Sequence, residues 1–101
     1  MNKLTKAKDI IAAIEVIAEE SEMEVVLLGS KKTRAGLAPA IVGIIYANVP
    51  KVVYHYDKLI SCLMDINHWN EDEATDWYDY NIAGTLNGAE DEPVIMHDLY
   101  Y

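Results

Sequence analysis

Residues 40–64, "AIVGIIYANVPKVVYHYDKLISCLM", constrain the fold of this chain more tightly than any other stretch. Two β-rich runs flank the turn "ANVP", and the second leads straight into a helical pattern. Ala40 to Tyr46 is almost continuously apolar. Lys51 to Tyr56 alternates, with Val52, Tyr54 and Tyr56 on one face and Val53 and His55 on the other. That combination predicts a β-hairpin whose first strand is central and whose return strand is half exposed. Asp57 reads as the N-cap of a helix over "KLISCLMDIN", with Leu59, Leu63 and Ile66 as its apolar ridge.

The flanking segments follow the same rules. Residues 5 to 21 read as an amphipathic helix capped by Thr5. Ile10, Ile11, Ile14, Ile17 and Ala18 take one side and Lys8, Glu15, Glu19 and Glu22 the other. "MEVVLLG" predicts a strand from Glu24 to Leu28 closed by Gly29, and "GSKKTRAGLAP" predicts a loop. "NHWN" breaks the helix after Asp57. Asn70 and Glu73 have capping-box spacing, so a second helix is expected to run to about Ala83, ended by Gly84 in the left-handed region. "LNGAEDEP" predicts a turn and "PVIMHDL" a final short strand.

A chain of 101 residues has room for one domain and one modest core. The expected class is α+β: a small, mostly antiparallel sheet of about three to four strands packed against helices, with an extra N-terminal amphipathic helix.

Charge is distributed unevenly. Through Arg34, six Lys/Arg balance six Asp/Glu, whereas from Asp57 onward eleven carboxylates face Lys58 alone. The C-terminal half therefore repels nucleic acid and anionic membranes, and suits a basic protein partner or a protein site that normally holds nucleic acid. No apolar run approaches the ~18 residues of a membrane span. Asp9 and Glu15 interrupt the N-terminal apolar stretch, so no signal peptide is expected. The one cysteine, Cys62, forms no internal disulfide, which points to a reducing, cytoplasmic compartment.

Motifs for chemistry are sparse. Cys62 lies mid-helix with no basic residue or His except Lys58 at helical spacing, and reads as a small buried hydrophobe. His55, His68 and His97 form no i, i+3 or i, i+4 pair, so no helical zinc motif exists, and no cofactor is implied. "GSKKTRAG" lacks phosphate-loop spacing, although its amides with Lys31, Lys32 and Arg34 could hold an anion such as a nucleotide. No acid, base and nucleophile set is visible, and an enzyme is not expected.

The second C-terminal helix is more informative. Ala74, Trp77, Tyr78 and Asn81 fall on one face and are expected to pack on the sheet. Asp72, Asp76 and Asp79 form a stripe on the opposite face, joined by Glu73 as partner-binding candidates. Carboxylates one helical turn apart rise by about 6 Å, close to the phosphate spacing along a nucleic-acid strand. Like charges at this spacing cost a few tenths of a kcal/mol each.

The pattern "AIVG…VVYHYDKLI…DYNIAG…EPVIM" across residues 40–97 resembles a small family of phage-encoded proteins without established function. The resemblance implies origin and architecture rather than chemistry. Tyr80, Asn81 and Gly84 match its "YNIAG" element and are carried over as structural residues. Residues 1–30 look like an addition, and the implied setting is the cytoplasm of an infected bacterium.

The leading expectation is a non-enzymatic interaction protein that binds, and thereby inhibits, a host defence or nucleic-acid-handling protein through the acidic helix face. A first alternative is an oligomeric binder that sequesters a nucleotide with the basic loop and stacking tyrosines. A second is a structural homo-oligomer, favoured by exposed Tyr and Trp and by the paired tyrosines at 100 and 101.

Overall fold

Helix α1, Ala7–Ser21, is amphipathic and buries Ile10, Ile11 and Ile14. These residues belong to the same hydrophobic cluster as Val52, Tyr54 and Leu59, so α1 is an integral wall of the one core. The computed structural model describes residues 7–30 and 32–99. Thr5, Lys31 and the tyrosines at 100 and 101 lie outside the described residues. Helix α1 ends with Glu22 at φ 56°, and Met23 N–H donates to Ala18 O while Glu22 N–H donates to Glu19 O. That is a Schellman ending with a non-glycine residue in the left-handed position.

The expected strand over Glu24–Leu28 does not form. Among the described residues this segment pairs with none of the three strands. Val25, Leu27 and Leu28 pack on the core without one. The segment is tied instead by Leu28 N–H, which donates to the Tyr54 hydroxyl at 3.0 Å. The expected loop after Gly29 is also more ordered than its composition suggests. It contains a short helix α2, Arg34–Leu37, and a 3₁₀ turn, Ala38–Ala40. A Cβ on Gly36 would lie 2.5 Å from Ile66 Cδ1, so glycine lets α2 approach the later helices closely.

Strand β1, Ile41–Ile45, pairs antiparallel with β2, Lys51–His55, through a register shift between Ile41 and Gly43 that marks a bulge. Strand β3, Val94–Met96, pairs parallel with β2. The antiparallel pair is the longer, with four registered partners against three. The order β1-β2-β3 makes β2 central and β1 an edge, which reverses the expectation from sequence. The alternating strand has Val52 and Tyr54 fully buried, while Val42 and Ile45 of the apolar strand remain 42% and 44% exposed. An uninterrupted apolar run resembles a strand covered on both faces, but here β3 pairs with the far edge of β2 and leaves β1 with one neighbour.

Helices α3, Tyr56–Asn67, and α4, Glu71–Asn81, complete an α+β fold with helices packed on the sheet. The α3 cap is His55, not Asp57: Nδ1 of His55 accepts from Lys58 N–H at 3.3 Å. Asp57 lies inside the first turn, where a negative charge is favourable. Helix α3 ends at His68, φ 57°, and Trp69 N–H donates back to Met64 O. A second 3₁₀ turn, Ala83–Thr85, follows α4. Gly84 does not adopt the expected left-handed conformation. Its constraint is proximity, because an added Cβ would sit 3.1 Å from Asp79 O. Among the described residues no helix is long and apolar enough to cross a membrane.

Candidate functional site

The capping box at the start of α4 forms as its spacing predicts. Asn70 Oδ1 accepts from Glu73 N–H at 2.8 Å, and Glu73 Oε1 accepts from Asn70 N–H at 2.9 Å. This double bond fixes the entry of the helix and sets which residues turn outward. The buried ridge is Ala74, Tyr78 and Ile82, at i, i+4 and i+8. Trp77 and Asn81, expected on that packing face, are shifted to its flank. Trp77 is 37% exposed, and Asn81 is exposed with Nδ2 donating to Trp77 O at 3.0 Å. A ridge along the i+4 row lets the helix sit closer than the broader face would, and rotates the indole outward.

Asp72, Asp76 and Asp79 are all exposed. Among the described residues no Lys or Arg pairs with any of them. Glu71, Asp72 and Glu73 occupy the first turn, beside the positive end of the helix. The structure divides the predicted set. Glu73 and Asp76 share an open hollow with Trp69, Trp77, Tyr80 and Asn81, whereas Asp72 and Asp79 lie outside that hollow on the same outer side of α4. One oxygen of Glu73 is held by the cap.

The aromatic side chains beside this acidic row were not expected there. Tyr80 is 83% exposed, and the Trp69 and Trp77 rings lie 6.1 Å apart at a tilt of 44°. The left-handed His68 turns the chain between α3 and α4 and so brings Trp69 to Trp77. Tyr80 was legible, because Glu73, Asp76 and Tyr80 fall at i, i+3 and i+7 on one face. Trp69 was not, since its position depends on the helix break.

Behind the tryptophans lies a cavity of about 430 Å³, walled by Leu28, Leu63, Ile66, Trp69, Trp77 and Ile82, with Asn67 and Asn81 among its polar groups. Its size is within the range of ligand pockets, about 300–1,000 Å³.

The basic loop is arranged differently from an anion cradle. Ser30 N–H donates to Thr33 Oγ1, Lys32 N–H to Ser30 Oγ, and Thr33 and Arg34 N–H both to Ser30 O. These amides are therefore used inside the turn. Arg34 points at Glu15, 3.8 Å away, and Lys32 is exposed. Lys31, the remaining candidate, lies outside the described residues. The structure does not bring Lys32 and Arg34 together around a hollow.

The fold also collects His55, Asp57 and Asp98, with ligand-type atoms within 4.8 Å of one another. His55 Nε2 lies 2.9 Å from Asp98 Oδ1, and its Nδ1 faces Lys58 N–H. A neutral ring that satisfies both contacts carries its proton on Nε2 and donates it to Asp98. The imidazole is thus engaged at both nitrogens by the protein itself. Burial and the nearby Asp65 charge push the pKa of the Cys62 thiol up, which disfavours the thiolate. Comparison with protein-family models, with curated proteins and with solved structures finds no match.

Proposed function

We propose that this chain is a non-enzymatic binding protein that docks the outer face of α4 onto a basic surface of another protein and so blocks that surface. The observation that carries the reading is the row of Asp72, Asp76 and Asp79, exposed and without a cationic partner among the described residues. A row of like charges costs helix stability locally, and a basic partner relieves that repulsion. Surfaces that handle nucleic acid are basic and read a comparable spacing of negative charge, so a nucleic-acid-handling or defence protein is the partner class that fits. If the resemblance of residues 40–97 to phage-encoded proteins reflects origin, such a partner is a protein of a bacterial host.

The test replaces Asp72, Asp76 and Asp79 together by Asn. A partner captured from host lysate by the unaltered protein at low salt should bind the triple variant at least about tenfold more weakly, a difference of about 1.4 kcal/mol. Binding by the unaltered protein should weaken with salt, and that dependence should flatten in the variant. Equal affinity of the two proteins, with circular dichroism showing the same fold, sinks the role given to the stripe.

A further inference from the structure

Two openings flank the Trp69–Trp77 pair. One is the cavity walled by Leu28, Leu63, Ile66 and Ile82; the other is the hollow lined by Glu73, Asp76 and Tyr80. They share Trp69, Trp77 and Asn81, so a single bound segment can occupy both. The chemistry changes across the pair, from aliphatic walls to carboxylates. Among the described residues no Lys or Arg lines either opening. Asn67 and Asn81 direct Nδ2 to Leu63 O and Trp77 O, at 3.1 and 3.0 Å, and their Oδ1 atoms accept no hydrogen bond among the described residues. The amides therefore offer acceptors to a ligand, and the charged groups that line the openings among the described residues, Glu73 and Asp76, are negative.

We propose that this double opening is the anchor site of the docking face. It takes a basic amphipathic segment of the partner protein. A Leu- or Ile-sized side chain enters the cavity, and an Arg or Lys one helical turn away crosses Trp77 and Tyr80 toward Asp76 and Glu73. A cation over an indole face is attracted by the ring quadrupole, and an apolar anchor in a pocket with a polar rim is how interfaces concentrate their affinity. Spacing of apolar and basic residues by one turn is the pattern of helix-in-groove recognition. The proposal rests on the acidic-face reading and adds the chemistry of the partner.

The probe is a short synthetic peptide with Leu and Arg at i and i+4. Intrinsic fluorescence reads it without a label, because the chain's two tryptophans are the pair at the site. A saturable change in emission is expected. Replacing Leu by Ser in the peptide, or Asn81→Lys in the protein, should weaken binding by about tenfold. Ala83→Lys adds the same charge at an exposed residue that lines neither opening, and should weaken binding far less. An emission spectrum that the peptide leaves unmoved overturns the proposal. So does a Ser peptide that binds as tightly as the Leu peptide, or Asn81→Lys no worse than Ala83→Lys. If the aspartate-to-asparagine triple variant weakens peptide binding while the Ser peptide and Asn81→Lys do not, the acidic face stands and the anchor falls. If the anchor changes matter and Asp72→Asn with Asp79→Asn, which leaves the Asp76 of the hollow in place, does not, the anchor stands and the stripe loses its role. Circular dichroism of each variant verifies that the fold is intact.

Discussion

Tyr54 lies fully buried on the core face of β2, and its hydroxyl accepts the Leu28 amide that replaces the missing strand. Burial pushes its pKa up to about 12, against an ordinary value of 10.0. Below about pH 10 the folded and unfolded states both hold the proton, and the contribution is whole. Between about pH 10 and 12 the unfolded chain ionises and the folded one does not, so stability falls by about 2–3 kcal/mol. Tyr54→Phe should cost about 1–3 kcal/mol at neutral pH, because Leu28 N–H loses its acceptor, yet should lessen the alkaline loss. Urea unfolding at neutral and alkaline pH measures both effects. Tyr78, also raised by burial, leaves some alkaline sensitivity in the variant. At this scale the chain was only partly legible. Asp57 has the right chemistry for a cap, but His55 takes the role because β2 holds it in extended conformation directly before Tyr56, the first helical residue, with Nδ1 facing Lys58 N–H.

At the scale of elements, the capping box illustrates what a short stretch of sequence can specify alone. All its partners lie between Asn70 and Glu73, and the structure matches the expectation bond for bond. Asn70→Ala should destabilise the protein by about 1 kcal/mol and lower its unfolding midpoint. Thermal unfolding followed by far-ultraviolet dichroism checks this, and an unchanged midpoint would mean that packing of Ala74 and Tyr78 holds the helix start without the cap. Strand 24–28 and the centrality of β1 were misjudged for the opposite reason. Both depend on which segments lie alongside in space, which β-propensity and alternation do not encode. The candidate site divides in the same way. The exposed aspartates and Glu73 follow from helical spacing. The outward Trp77, the Trp69 brought beside it and the cavity behind them follow from how α4 is rotated on its narrow ridge.

Across the whole molecule, one core unites α1, the sheet and the α3–α4 pair, so the acidic half and the neutral first third are parts of one body rather than separate modules. The hydrophobic pattern revealed the α+β class, and it did so because α1, α3, α4 and β2 each bury a face that repeats with its own period. The pairing of β3 was out of reach, since three residues carry it and their partner lies on the other side of two helices. That parallel pairing has a consequence in time. The β1–β2 hairpin closes locally, within the roughly 1–10 μs of such events. Strand β3 reaches β2 only across α3, α4 and the 82–93 connection, and such non-local closure is slower. Refolding followed by emission from Trp69 and Trp77 is expected to lag hairpin closure, and a single microsecond phase after a laser temperature jump would show otherwise. Because α3 and α4 are themselves the crossover between the parallel strands, the proposed docking face lies on the connection that the slow step closes. On that proposal, a freshly folding chain closes its hairpin before it completes the face that would bind.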